Sequence, residues 1–213
     1  MKKSTKAVLA GLGVAAATGV GVSMVRAATT YKAEPVKESE KLAPEKVDLD
    51  RYIDHLSKAI QIPTICNKDE SLVDWSKFDE FHAFLKEAYP LIHENLDVQV
   101  ISTRSLMYHW KSEHPEKEPI ALLAHQDVVP EGDHSMWKYP PYVGTLDEDG
   151  ILWGRGVTDS KCNIQAYMDA LELLIADGFV PDYDLYLAFG YNEEIMGGPE
   201  AAAGLIVEEL KRR

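Results

Sequence analysis

The sequence predicts an α/β fold, a three-layer sandwich in which helices cover both faces of a mixed, mainly parallel sheet. Three observations favour this fold class. Short, nearly continuous apolar runs are typical of buried strands, segments with helical periodicity lie between them, and residues 49–213 are long enough for one hydrophobic core. No internal repeat is evident, so we expect one domain across residues 49–213.

The first residues of the chain have the layout of an export signal. Residues 1–26 contain four basic residues and no acidic one, and residues 7–25 are uncharged and rich in Ala, Gly and Val. This uncharged stretch is also long enough to anchor the protein in a membrane without being cleaved. We therefore expect residues 1–27 to be a signal peptide or a signal anchor, and the protein to be secreted or anchored to the membrane outside the cytoplasm.

Residues 28–48 are charged, contain two prolines and have few large apolar side chains, which is typical of a flexible linker. From residue 27 onward the chain carries 18 basic and 35 acidic side chains, a net charge of −17. Such a charge excludes electrostatic binding to nucleic acid. The two cysteines, Cys66 and Cys162, are too few for a disulfide framework, and we expect two unpaired thiols, although a single pair could form in an exported protein.

Helices and strands alternate along residues 49–213. The first helix is expected to end at Ile62-Pro63, and the second to run from Trp75 to His93. The expected strands are Val98–Ser102, Leu106–Trp110, Ile120–Ala124, Tyr142–Leu146, Ile151–Trp153 and Leu185–Phe189. A helix from Ile164 to Ala176 precedes the last strand, and a final helix opens at Pro199 or Glu200.

A histidine and several carboxylates follow these elements, where α/β enzymes keep their chemistry. In His125-Gln126-Asp127, directly after a strand, both outer side chains fall on the same side of an extended segment. Asp127 could therefore accept a hydrogen bond from one ring nitrogen while the other binds a metal ion. Taken alone, this pattern also fits a histidine with no such role.

Two further acidic pieces are equally ambiguous when each is taken alone. Asp159 follows a Gly-Arg-Gly turn, and its carboxylate could bridge two metal ions about 3.5–4 Å apart or simply cap the next helix. Glu193 and Glu194 follow a buried strand, so that one could bind metal and the other act as a general base, or both could be solvated. Together with His125, these residues favour a two-metal hydrolase.

Four ordered motifs carry a resemblance to a known family. They are His125-Gln126-Asp127-Val128-Val129-Pro130, Trp137-Lys138-Tyr139-Pro140-Pro141-Tyr142, Trp153-Gly154-Arg155-Gly156-x-x-Asp159-x-Lys161 and Ala188-Phe189-Gly190-x-x-Glu193-Glu194-x-x-Gly197-Gly198. Over residues 50–213 the chain resembles the zinc aminoacylase/carboxypeptidase family that includes carboxypeptidase G, succinyl-diaminopimelate desuccinylase and aminoacylase. It is particularly similar to the Gly-X carboxypeptidase (carboxypeptidase S) branch, with its secreted N-acyl-amino-acid hydrolases.

The resemblance implies a site with two zinc ions, for which cobalt or manganese could substitute. In it His125 binds one ion, Asp159 bridges both, Glu194 binds the other, Glu193 is the general base and Asp127 orients His125. The implied reaction is hydrolysis of a peptide or N-acyl amide bond next to a free carboxylate, in a small peptide or an N-acyl amino acid. A cis peptide bond at Asp159-Ser160 is also implied.

The chain departs from the family pattern in several places. Asn192 stands where the family usually has Asp, Tyr191 replaces a common His, and Cys162 replaces a small residue. The family also has a further carboxylate ligand, a late histidine and a lid domain that mediates dimerisation, none of which is found here. We therefore expect the N-terminal part of a catalytic domain that is inactive alone and that dimerises only if a lid is present. The alternative is an exported, non-catalytic module that retains a degenerate metal site.

Overall fold

The structure is a computed structural model that describes residues 18–27, 29, 47–114, 116–195 and 201–213. The chain divides into two units, Met1–Val47 and Asp48–Arg213. In the first unit, residues 18–27 are helical and exposed. Nearly all of the expected linker and the first part of the expected export signal lie outside the described residues. Among those described, no helix combines the length and the hydropathy needed to cross a membrane.

The second unit alternates helices and strands. The helices are α1 (Leu49–Ile60), α2 (Trp75–Ala88), α3 (Pro90–Asn95), α4 (Lys161–Ala176) and α5 (Ala202–Leu210). The strands are β1 (Asp97–Ile101), β2 (Ser105–Trp110), β3 (Ile120–His125), β4 (Thr145–Leu146), β5 (Leu152–Trp153) and β6 (Leu185–Gly190). Side chains set the starts of the first two helices: Asp48 accepts a hydrogen bond from the backbone of Arg51, and Asp74 from that of Ser76.

The second helix is shorter than the sequence predicts. The expected single helix from Trp75 to His93 is wrong, because it ends at Ala88 and α3 begins at Pro90. Proline has no backbone N–H and disfavours helical geometry in the residue before it, and Tyr89 has non-helical angles (φ −129°, ψ 64°). The carboxylate of Glu172 then caps α3 by accepting hydrogen bonds at 2.9 Å from the backbone N–H groups of Leu91 and Ile92.

The main sheet has the strand order β1-β2-β6-β3. Pairs β1–β2 and β2–β6 are antiparallel and pair β3–β6 is parallel. The α/β class and the mixed sheet are thus confirmed, but the expectation of a mainly parallel sheet is wrong for the described strands. The error has a physical reason: β2 is buried along its whole length, so its mostly apolar sequence looks like that of a parallel strand.

Two apolar layers cover the two faces of this sheet. One face of β2 and β6 presents Leu106, Tyr108, Trp110, Leu187 and Phe189 to a core shared with the first four helices. The other face presents Met107, Tyr186 and Ala188 to Ile206 of α5. The three-layer arrangement is therefore confirmed. Since β3 and β6 are parallel neighbours, with His125 beside Gly190, their carboxyl ends lie at the same edge of the sheet.

Candidate metal centre

The candidate site lies where β3 and β6 end side by side. The backbone N–H of Gln126 donates to the carbonyl of Gly190 at 2.8 Å, so the two chains leave the sheet together. One carries His125 and Asp127, and the other carries the glutamate pair. The turn before α4 brings Asp159 to the same place, since His125 Nε2 lies 2.8 Å from Asp159 Oδ1. This edge is where open α/β sheets place their ligand sites.

The structure brings together the three residues predicted as metal ligands. His125, Asp159 and Glu194 each offer one ligand atom, and these atoms all lie within 4.8 Å of one another. The histidine is buried, Glu194 is half-buried and Asp159 is exposed. One imidazole nitrogen with carboxylate oxygens is a donor set that suits Zn²⁺. Because burial and Asp159 disfavour its charged form, the pKa of Glu194 lies above its usual value.

The ring of His125 is held with one nitrogen directed to this group. Its Nδ1 lies 3.0 Å from the backbone carbonyl of Asp127 and 3.4 Å from Asp127 Oδ1, which leaves Nε2 on the ligand side. Burial alone would lower the pKa of this imidazole. The hydrogen bonds to Asp127 and Asp159 outweigh burial and raise the pKa of His125 to about 9. Metal binding at Nε2 must therefore displace a proton near neutral pH.

Asp127 does more in this structure than the expected orientation of the histidine. Its side chain is fully buried. Oδ1 accepts a hydrogen bond from the backbone N–H of Glu193 and Oδ2 accepts one from that of Glu194, each at 3.0 Å. The carboxylate thus ties the end of β3 to the backbone of the glutamate pair. Glu193 Oε2 lies 3.9 Å from His125 Nε2. The Glu193 carboxylate is therefore beside the ligand group, which consists of His125, Asp159 and Glu194.

Ser160 is a supporting residue to which sequence reasoning gave no role. Its hydroxyl accepts a hydrogen bond from the backbone N–H of His125 and donates one to the carbonyl of the same residue, both at 3.1 Å. The alternative interpretation of Asp159 as a helix cap is wrong, because Ser160 occupies the N-cap position of α4 and no side chain caps it. The Asp159-Ser160 peptide bond is cis, as the resemblance implied.

Glycines let the turn before α4 approach its neighbours closely. Gly156 has φ +87°, and a Cβ atom there would lie 2.8 Å from the side chain of Val128. At Gly154 a Cβ would lie 2.5 Å from the side chain of Ile60. A larger residue at Gly156 would push the turn, and with it Asp159, away from the end of β3, and a larger residue at Gly154 would push the turn away from α1.

Two departures from the family pattern have clear structural roles. Asn192 Oδ1 accepts a hydrogen bond at 2.9 Å from the backbone N–H of Ala202, which ties the glutamate loop to the start of α5. Tyr191 is buried and packs against Trp75 with 5.8 Å between ring centroids. The other departure, Cys162, is an unpaired thiol, as is Cys66, in agreement with the expectation from the sequence.

Comparisons with known proteins agree with the family resemblance. Residues 121–213 match Peptidase family M20/M25/M40. Carboxypeptidase S of Saccharomyces cerevisiae is 35% identical over 159 residues, covering 71% of this chain and 28% of that protein. The bovine (Bos taurus) N-fatty-acyl-amino acid synthase/hydrolase PM20D1 is 35% identical over 144 residues, covering 67% of this chain and 28% of that protein.

Solved structures show the same relationship. The chain is similar to the di-peptidase Dug1p of Saccharomyces cerevisiae, with 25% identity and a TM-score of 0.57 over 76% of this chain and 34% of that one. Human carnosine dipeptidase 1 shares the fold, with 21% identity and a TM-score of 0.60 over 77% of this chain and 36% of that one. Residues 121–213 thus match Peptidase family M20/M25/M40, and the resemblance to that family is confirmed. The chain spans less than a third of the length of the curated relatives described above.

Proposed function

We propose that this chain carries the metal-binding part of a metal-dependent hydrolase of the carboxypeptidase/aminoacylase type. The proposed substrates are small peptides or N-acyl amino acids, cleaved at the amide bond next to a free carboxylate. The observation that carries the proposal is the convergence of His125, Asp159 and Glu194 at the carboxyl ends of β3 and β6. The names of the relatives, a carboxypeptidase and an N-fatty-acyl-amino acid synthase/hydrolase, support the substrate class.

The donor set supports zinc, with cobalt or manganese as substitutes. In the two-ion arrangement that we propose, Asp159 is shared, His125 holds one ion and Glu194 the other. The chemistry that a bound divalent ion supplies is Lewis-acid polarisation of the scissile carbonyl and acidification of water. His125 can take part through Nε2, since its Nδ1 is engaged by Asp127.

Glu193 is the proposed general base. Its carboxylate is largely exposed and approaches the ligand group, while its backbone N–H is fixed by Asp127. In this role Glu193 takes a proton from the attacking water and delivers it to the leaving amine nitrogen. Asp127 keeps both Glu193 and His125 in place during these transfers, because its two oxygens hold the glutamate backbone from a buried position.

We further propose that the 213-residue chain binds metal but does not hydrolyse substrate by itself. In the described part of the chain, the group of His125, Asp159 and Glu194 is the one set of three ligands close enough to hold an ion. Catalytic zinc normally has three protein ligands, so two catalytic ions need more than this group provides. The same observation favours the second candidate function, a non-catalytic module with a degenerate metal site.

Zinc content and hydrolysis measured on the same samples test the proposal. We expect about one zinc per 213-residue chain. We expect release of the C-terminal amino acid from an N-blocked Gly-X dipeptide only from a longer gene product, whose coding sequence continues beyond residue 213. The matched control substrate is the same dipeptide with its carboxylate converted to an amide. A chain that binds no zinc overturns the proposed function. Zinc binding without hydrolysis by any product favours the non-catalytic module, and hydrolysis by the 213-residue chain contradicts its inactivity.

We also propose that the protein is exported, either secreted or held at the membrane by residues 7–25. The support is the basic start and the uncharged stretch in the sequence. Cell fractionation followed by N-terminal sequencing tests this proposal. A new N-terminus near Ala27 indicates cleavage and an intact Met1 in the membrane fraction indicates an anchor. Intact protein in the cytoplasm contradicts export.

A further inference from the structure

A buried lysine anchors the turn that carries Asp159. Lys161 is 1% exposed, and the hydrolytic mechanism gives it no role. Its Nζ donates hydrogen bonds to the carbonyl oxygens of Ala59 at 2.8 Å and Ile62 at 2.5 Å, and it lies 4.8 Å from the centre of the Phe81 ring. These carbonyls lie at the carboxyl end of α1, where the helix dipole favours a cation. Because a buried ammonium without such acceptors is costly, they fix its position.

The segment that follows α1 also holds the end of β3. Thr64 is fully buried, and its hydroxyl donates to the carbonyl of Gln126 at 2.5 Å. The carbonyl of Thr64 accepts a hydrogen bond at 3.0 Å from the backbone N–H of Val128. Ile65 and Val128 form an isolated parallel bridge. Thr64 therefore contacts the backbone on both sides of Asp127.

Residues 62–65 thus lie between two parts of the site that are 34 positions apart in the sequence, His125 and Asp159. Lys161 attaches one end of this segment to the Asp159 turn, and Thr64 attaches the other end to the His125–Asp127 segment. Pro63, between the two attachments, has its φ angle fixed by its ring. Because this short segment is attached at both ends by buried hydrogen bonds and its backbone is restricted, it keeps the distance between the Asp159 turn and the His125–Asp127 segment fixed.

We propose that residues 62–65 form a brace that sets the separation of Asp159 and His125 and thereby the metal affinity of the site. Lys161 and Thr64 are positioning residues in this scheme, since neither belongs to the ligand group. The inference rests on the proposed function, because it assigns the brace to that same metal site. Residues that orient metal ligands through such contacts typically change metal affinity by about 10–100-fold when replaced.

The test compares zinc affinity in variants of the 213-residue chain, measured by competition with a chromophoric chelator well below the unfolding temperature. Thr64→Val removes the hydroxyl and Thr64→Ser keeps it. Lys161→Met keeps the length of the side chain without its donors. The control is Glu172→Gln on the same helix, which removes charge from a buried residue that caps α3. We expect at least about tenfold weaker zinc binding for Thr64→Val and Lys161→Met, and at most about threefold for Thr64→Ser and Glu172→Gln.

The double variant distinguishes a brace from two separate structural defects. If both residues act through one segment, Thr64→Val with Lys161→Met binds zinc within about threefold of the weaker single variant. Independent effects would instead multiply to about a hundredfold or more. Multiplying effects, or wild-type affinity in both single variants, overturn the proposal. If Lys161→Met fails to fold, the Val and Ser variants at position 64 decide alone, by the same tenfold and threefold criteria.

Amide hydrogen exchange in the metal-free chain separates this inference from the proposed function. The backbone N–H of His125 is bonded to the Ser160 hydroxyl, so its exchange reports on the turn without any metal. We expect it to exchange faster in Lys161→Met than in Glu172→Gln. If the wild-type chain binds no zinc, the proposed function fails, and faster exchange then still supports the brace as a structural link. Equal exchange in the two variants overturns the brace.

Discussion

Replacing Asp127 by asparagine removes the charge that ties the end of β3 to the glutamate pair. Each oxygen of the wild-type carboxylate accepts one backbone N–H, from Glu193 and from Glu194, at 3.0 Å. The amide of asparagine has a single acceptor oxygen, so its NH₂ group must face one of these two N–H donors. The substitution keeps the volume of the side chain and leaves one backbone donor of the glutamate pair without an acceptor.

The expected cost follows from these contacts. A hydrogen bond to a charged acceptor contributes about 1.5–3 kcal/mol, and part of this is offset because the substituted amide carries no buried charge. We therefore expect Asp127→Asn to lower the free energy of unfolding by about 2 kcal/mol. Since the glutamate backbone and the ring of His125 both lose their charged partner, zinc affinity should fall about 10–100-fold.

Urea denaturation of the metal-free chain and zinc titration of the folded chain measure the two effects separately. Asp184→Asn is a matched control, because Asp184 also contacts one backbone N–H, of Ser112, and one imidazole, of His109, away from the ligand group. This control should lose stability but keep wild-type zinc affinity. The reasoning is refuted if Asp127→Asn binds zinc as tightly as the wild type.

Three further predictions concern the same site, and a fourth concerns the turn that carries Asp159. Zinc affinity should rise about tenfold per pH unit from pH 7 toward 9, because the metal displaces the proton of His125, whose pKa is raised to about 9; a titration series that shows constant affinity would disprove this. In the metal-free chain, the charged form of His125 should stabilise the fold, fully below pH 6.5, and this stabilisation should be lost as the pH rises through 9. The urea midpoint should therefore fall between pH 6.5 and 9, and a midpoint that does not change with pH would contradict the raised pKa of His125. Glu194→Gln should weaken zinc binding at least about tenfold and Glu193→Gln by less than about threefold, and chelator competition that gives equal losses would contradict their assignment as ligand and base. Gly156→Ala should lower the free energy of unfolding by about 1–3 kcal/mol and more than Gly150→Ala, which has a similar φ but open space around it; equal losses in urea denaturation would show that the contact is unimportant.

The sequence predicted the residues of the candidate metal centre because they occur in compact motifs at the ends of strands. His125, Asp159 and Glu194 follow two apolar runs and a glycine turn, and the end of a strand is visible in the sequence. Their convergence depends on β3 and β6 being parallel neighbours, which the helix between them also favoured.

The residues that support this group could not be predicted in the same way. Ser160, Thr64 and Lys161 act through hydrogen bonds to the backbone of residues distant in the sequence, and such partners exist only once the chain has folded. Lys161 was visible as a member of a motif, but nothing in its spacing indicated that the end of α1 would receive its ammonium. Burial of a lysine has no periodic signal.

Two errors about the fold have different origins. Pro90 in the sequence indicated the break between α2 and α3, but the helical spacing of the apolar residues favoured one continuous helix. The pairing direction of β2 was not accessible from its residues, because a strand buried on both faces has the same apolar run in either direction. Hydrophobic patterns report burial and not strand direction.

X-ray absorption at the zinc edge of the zinc-loaded 213-residue chain tests the central claim most directly. His125, Asp159 and Glu194 predict a first coordination shell of one imidazole nitrogen and carboxylate oxygens at about 2.0–2.2 Å, with no sulfur. The imidazole contribution should disappear in His125→Gln. Sulfur ligands at about 2.3 Å, or an imidazole contribution that persists in His125→Gln, would contradict the claim that these three residues hold the metal.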